Sequence, residues 1–104
     1  MPVATFAGND VTVDTEGFMT DYEEWTEDIG TFLAGAIGIE LTDRHWEVIR
    51  FMRDDYAAQG TSPTLRRVSA VGGVPTKELF TLFPKKPAKK MAYVAGLPKP
   101  RGCV

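Results

Sequence analysis

The chain has 104 residues, 43% of them apolar and 25% charged, the make-up of one ordinary globular domain with a modest core. Its single cysteine, Cys103, excludes an intrachain disulfide and with it a disulfide-built secreted scaffold. The net charge is only −2, yet residues 1–60 hold thirteen acids and three bases while residues 61–104 hold one acid and nine bases. This polarity has two readings. Either the basic half lies against the acidic half, or a basic surface near the thiol meets an acidic partner, protein or RNA. The N-terminus has no basic segment followed by an apolar run, and the longest nearly apolar run, Phe32 to Ile39, is too short to span a bilayer. The expectation is a cytoplasmic protein with no membrane segment.

Met1 to Phe18 reads as a small antiparallel element. Val3, Thr5, Val11 and Val13 alternate with period two, and Gly8-Asn9-Asp10 supplies turn chemistry. A hairpin this short needs helices to pack on. The first helix is expected to start near Thr20 or Asp21, each followed three residues on by a glutamate, with Thr26 as an alternative cap. Trp25, Ile29, Phe32, Leu33, Ala36 and Ile37 fall on one side of it, and Gly38 ends it.

The second helix is bounded by Thr42 and Gly60. Trp46, Val48, Ile49, Met52, Tyr56 and Ala57 fill its apolar half, opposite Asp43, Glu47, Arg50 and Asp54. His45 points into that apolar half. With no second histidine or spare cysteine nearby, it reads as a hydrogen-bonded core residue, and no metal or other cofactor is expected. Ser62-Pro63 predicts the start of a third helix running to about Val71. Pro75-Thr76 opens a fourth through about Phe83, with Leu79, Phe80, Leu82 and Phe83 inward. Pro87-Ala88 opens a fifth, ending at Ala95 before Gly96. The predicted fold is α+β and mostly α: an N-terminal hairpin on about five helices, forming a body over residues 1–95.

Residues 96–104, Gly-Leu-Pro-Lys-Pro-Arg-Gly-Cys-Val, have two prolines and two glycines, which exclude a helix or a central strand. An extended arm from Gly96 to Cys103 reaches about 20–25 Å. Lys99 and Arg101 flank the path to the thiol and favour its anion, whereas the terminal carboxylate opposes it. The arm reads either as a frayed tail with an incidental cysteine or as a movable tip carrying a group. Lys85, Lys86, Lys89 and Lys90 form a basic cluster beside it, a docking patch or a solvated face. The third and fourth helices, separated by Val71-Gly-Gly-Val-Pro75, have the outline of a helix-turn-helix with Arg66, Arg67 and Lys77 facing phosphate. Glycine-broken helix pairs are common in helical domains, so DNA binding is the less favoured reading.

Four stretches carry a family resemblance: Gly38-Ile-Glu-Leu-Thr-Asp-Arg-His-Trp46 continuing to Tyr56, Thr61-Ser-Pro63, Leu82-Phe-Pro-Lys-Lys-Pro-Ala88, and Ala95-Gly-Leu-Pro-Lys-Pro-Arg-Gly-Cys-Val104. Together with Asp14-Thr-Glu-Gly17 and Trp25 they resemble the DsrC/TusE sulfur-relay proteins over nearly the whole chain. The resemblance implies a compact helical array with a small N-terminal β element and a mobile C-terminal arm. It implies that Cys103 carries sulfur as a persulfide or bonds to a partner's sulfur, with the arm residues Gly96, Leu97, Pro98, Lys99, Pro100, Arg101 and Gly102 meeting the partner. Two-cysteine members place a second cysteine where this chain has Ala92, so the pattern is closer to the one-cysteine, TusE-like members that pass sulfur toward 2-thiouridine in tRNA. The connection before Leu82-Phe-Pro84 is also shorter than in many members. The implied role is a sulfur carrier between a donor protein and an acceptor enzyme, a relay component rather than a stand-alone enzyme. The alternatives are a gamma-subunit-like partner of sulfite reductase or a regulator of sulfur metabolism.

Overall fold

A computed structural model describes residues 3–100. Strands β1 (Val3–Phe6) and β2 (Asn9–Thr12) form an antiparallel hairpin in which Phe6 faces Asn9 and Val3 faces Thr12. The turn is Ala7-Gly8, both with positive φ (51° and 81°), one residue earlier than the sequence suggests. The shift decides which β1 residues face inward. Ala4 and Phe6 are half-buried, whereas Val3 is 64% exposed and Thr5 lies outside. On the following segment Val11 and Val13 are buried as expected, and Val13 forms an isolated bridge with Met19. Between them the Asp14 carboxylate accepts the Glu16 and Phe18 amides, closing the turn at Gly17.

The expected first helix is two pieces. A 3₁₀ turn over Tyr22–Glu24 is capped by Asp21, Trp25 is extended, and α1 (Glu27–Ala36) starts from Thr26, whose hydroxyl accepts the Ile29 amide. The break swings the Trp25 ring over α1, where a Cβ on Gly30 would lie 2.6 Å from Trp25 Cζ2. Gly30 therefore makes room for the indole, offsetting its cost as a helix residue. Ile29 and Leu33 pack with Val11, Val13 and Met19 in a small core under the hairpin. Phe32, expected inward, is 46% exposed and rests against Phe6 at a centroid separation of 5.8 Å.

Helix α2 (Asp43–Gln59) runs from Thr42 to Gly60, which takes the left-handed conformation (φ 78°) that ends it. Its buried Val48, Ile49 and Met52 form the main core with Val68, Leu79, Phe83, Met91 and Val94. Helix α3 (Leu65–Ala70) begins later than Ser62-Pro63 implies. Thr64 supplies the cap, its hydroxyl accepting the Arg67 amide at 3.1 Å, while the Ser62 hydroxyl is engaged elsewhere. Helix α4 (Thr76–Leu82) buries Leu79 but leaves Phe80 46% exposed, because the helix is only two turns long and packs by one edge. Helix α5 (Pro87–Val94) has proline in its first turn, as expected. The fold is thus a two-stranded hairpin on five α-helices among the described residues. No helix among them is long and apolar enough to cross a membrane.

Candidate functional site

The chain leaves α5 through a Schellman motif. The Leu97 amide donates to the Ala92 carbonyl at 3.0 Å, the Gly96 amide to Tyr93, and Gly96 sits at φ 71°. The motif carries Leu97 inward, where it is fully buried in the main core. Pro98 is half-buried and Pro100 buried. The segment expected to leave the body at Gly96 therefore stays against it as far as Pro100. Of the sequence-predicted arm residues, Leu97 is a core residue. Arg101, Gly102 and Cys103 lie outside the described residues.

Side chains distant in sequence hold this root. Trp25 Nε1 donates to the Val94 carbonyl at 2.9 Å, and its ring lies so close over Gly96 that any Cβ there would overlap Cδ1. Arg53 donates Nη1 to the Ala95 carbonyl and Nη2 to the Tyr22 carbonyl, both at 2.7 Å. Its guanidinium stands 4.3 Å from the Trp25 ring centroid and 5.3 Å from that of Tyr22. Partial burial lowers the Arg53 pKa from its ordinary value, and the carbonyls and ring faces offset that loss of hydration. The Ser62 hydroxyl donates to the Pro98 carbonyl at 2.6 Å, and Lys99 Nζ pairs with Glu16 Oε2 at 2.7 Å. Beside these contacts a groove of about 300 Å³ is lined by Tyr56, Gly60, Thr61, Ser62, Thr64, Pro98 and Lys99.

The lysine cluster is split. Lys85 and Lys86 are exposed on a sharp bend where both have positive φ (59° and 48°). Lys89 and Lys90 are half-buried, and Lys90 Nζ donates to the Pro84 carbonyl. They border a hollow of about 280 Å³ with Glu16, Phe18, Ile37 and Tyr93, whose phenol is pushed up by burial.

His45 is a core residue. Its Nδ1 accepts the Thr42 amide at 3.1 Å, which leaves the ring proton on Nε2 to donate to the Leu82 carbonyl at 2.8 Å. Its ring meets Phe83 edge-on at 5.1 Å, so it ties the start of α2 to the end of α4. On the helix-turn-helix face, Arg67 forks the buried Asp55 carboxylate with bonds of 2.7–2.9 Å, which raises its own pKa. Arg67 is therefore committed to the fold, while Arg66 and Lys77 are exposed. Among the described residues no group of acidic, histidine or cysteine side chains has the arrangement of a metal site.

Sequence reasoning missed Arg53, Ser62, Glu16 and Asp55. Arg53 had a signal: it falls on the apolar side of α2, four residues after Ile49 and three before Tyr56, where a cation needs a special partner. Ser62 looked like a helix cap, and nothing local marks Glu16 as the partner of Lys99.

A small helical body that clamps the root of a C-terminal segment whose sequence holds one cysteine, Cys103, is the class of protein defined by this fold. The model of the DsrC like protein family matches residues 5–104, and the chain belongs to that family. It is 41% identical over 106 residues to sulfurtransferase TusE of Escherichia coli K12, covering 95% of this chain and 97% of that protein. Sulfurtransferase TusE of Salmonella typhimurium is 40% identical over the same span. Among solved structures, that of dissimilatory sulfite reductase I superimposes with a TM-score of 0.83 at 37% identity, covering 99% of this chain and all of that one. DsrC of Allochromatium vinosum superimposes at 0.79 with 33% identity, over 98% of this chain and 97% of that one. With the family comes a sulfur-relay role.

Proposed function

We propose that this protein is a single-cysteine sulfur carrier, with Cys103 receiving sulfane sulfur from a donor protein and yielding it to an acceptor enzyme. The observation that carries the reading is the family match, which runs through residue 104 and so includes the chain's only cysteine. In the loading step the Cys103 thiolate attacks the outer sulfur of a donor persulfide. The donor's S–S bond breaks as the new one forms, the donor leaves as a thiolate, and Cys103 gains one sulfur and two oxidising equivalents without any external oxidant. Transfer onward is the same exchange in reverse. The TusE relatives favour an acceptor on the route to thiolated tRNA. The likeness to sulfite reductase I and DsrC supports a second reading, a partner of sulfite reductase, but Ala92 supplies no second sulfur for a bridge within the chain. The protein works in the cytoplasm in either reading.

Mass spectrometry tests the carrier reading. After incubation with a thiosulfate-fed sulfurtransferase, the wild type gains about 32 Da, one sulfur atom, on Cys103. The Cys103→Ser variant gains none and keeps the far-ultraviolet spectrum of the wild type. Loading that persists in Cys103→Ser sinks the relay mechanism.

A further inference from the structure

We infer that the outer edge of β1 pairs with β1 of a second copy of this chain, joining the two hairpins into one four-stranded antiparallel sheet about a two-fold axis. This surface lies outside the carrier reading and does not depend on it. Thr12 turns both of its backbone groups away from β1. Its amide donates to Glu24 Oε1 at 2.8 Å, and its carbonyl accepts the Thr20 amide at 3.0 Å. Val3 faces Thr12 across the ladder, and residues opposed in an antiparallel pair either bond each other or both point away. Val3 therefore directs its amide and carbonyl to the outer edge of β1, and Thr5, two residues on, does the same. Among the described residues, nothing bonds these four groups. The β2 edge, by contrast, is covered by the chain's own return through Met19 and Thr20. Sheets blunt a bare edge with lysine, proline, a bulge or an inward charge. Val3-Ala4-Thr5-Phe6 has no such residue, and its register with β2 is unbroken.

A row of free backbone groups takes an extended strand, and their spacing favours this strand itself. Turned antiparallel about Ala4, a second β1 sets its Thr5 opposite Val3 and its Val3 opposite Thr5. Every outward amide then meets an outward carbonyl, and four hydrogen bonds form. A slip of one residue would set outward groups against inward ones. No charged side chain stands in β1, so the symmetric pairing brings no like charges into opposition. Apolar surface stands beside the edge as well: Phe32 of α1, 46% exposed, rests against Phe6, and Ala4 at the axis is small. A sheet of two short strands is marginal, and pairing doubles it. A contact built on one short strand a side falls short of the roughly 1,200 Å² of standard interfaces, so the association is weak, with monomer at about 10 µM and mostly dimer at about 1 mM.

Sedimentation of the full chain measures the association, with reductant present so that disulfide dimers do not contribute, and amide hydrogen exchange by NMR locates it. Between about 10 µM and about 1 mM the wild type should pass from monomer toward dimer, and exchange of the Thr5 amide should slow at least about twofold. Thr5→Pro removes an outward amide that the β1–β2 ladder does not use, and should weaken dimerisation at least about tenfold. Thr5→Val keeps the amide and loses only the hydroxyl bonded to Asp10, so it should dimerise at least as well as the wild type. A wild type still monomeric at about 1 mM overturns the inference and leaves the edge to a strand of another protein. A dimer whose Thr5 amide exchanges as fast as the monomer's also overturns it, because the copies then meet elsewhere. Equal association of Thr5→Pro and wild type does the same. Where Thr5→Pro fails to fold, the exchange rate of the wild-type amide decides alone.

Discussion

The arm root and the α3–α4 pair both join cations to a glycine turn, and they use those cations differently. Around α3 and α4 the partners are side chains: Arg67 forks Asp55 on α2, and Arg44 of α2 forks Glu78 on α4. These pairs fix helix against helix. Around the root, beside the Lys99–Glu16 pair, the partners are main-chain carbonyls: Arg53 on Ala95, Trp25 on Val94 and Ser62 on Pro98. The difference follows from the end of α5 and the prolines beyond it. The Val94 and Ala95 carbonyls stand in the last turn and cap of α5, where no helical amide follows to bond them, and the Pro98 carbonyl lies in a segment whose prolines at 98 and 100 build neither helix nor ladder, so all three need donors from elsewhere. Side-chain pairs hold elements that are already formed, whereas the carbonyl clamps hold a path the backbone does not choose by itself.

The comparison is most directly broken at Trp25. Removing the indole deletes the Val94 bond, a face of the Arg53 stack and the packing against Gly30 and Gly96. Trp25→Ala should cost about 3–5 kcal/mol of unfolding free energy, read from urea titration. A loss under about 1 kcal/mol would mean that the root is held without the clamp. Gly96→Ala comes next, with an overlap against the indole added to a left-handed φ. The expected loss is more than about 1 kcal/mol in the wild type and clearly less in a Trp25→Ala background, where only the backbone cost persists. Strict additivity of the two would separate Gly96 from the indole.

His45→Ala is the corresponding test away from the root. The Leu82 carbonyl loses its donor and the Thr42 amide its acceptor, for about 1–3 kcal/mol. Sulfur loading should be unaffected, since the histidine faces the core. A stable His45→Ala variant that no longer loads would make His45 a participant in the relay.

What the sequence made legible follows the range of the interactions. Both ends of α2, the proline start of α5 and the glycine that terminates it are written in a few neighbouring residues. The one-cysteine tail was likewise evident as a motif. The split of the first helix was not, because the indole at the break binds a carbonyl 69 residues away. For the same reason the local pattern makes Ser62 a cap, while its partner is Pro98, 36 residues on. Phe32 and Phe80 follow helical spacing but stay exposed, Phe32 resting on Phe6 at the edge of the hairpin, since spacing gives a face and not how far its neighbour covers it. Composition starts the arm at Gly96, because it marks the end of a helix and does not reveal that Leu97 completes the core.

The smallest expected change in stability is at Ser62, and it is the one that asks whether the root lifts. Ser62→Ala removes a single hydrogen bond to Pro98, worth about 0.5–1.5 kcal/mol. Its effect is amplified by pairing it with Ala92→Cys. Position 92 is fully buried, and its carbonyl accepts the Leu97 amide that starts the root. A thiol there can bond Cys103 only if the two Cα atoms come within about 7 Å and the buried sulfur is uncovered to attack or be attacked. Bridge formation under mild oxidation therefore waits on a local opening. If that opening is the lifting of Leu97 to Pro100, weakening the Pro98 latch raises the open population, and the bridging rate with it, by about two- to tenfold. The rate is measured by gel shift or mass in Ala92→Cys with and without Ser62→Ala. Equal rates would show that position 92 is uncovered by some other motion, with the root remaining seated while α5 itself opens.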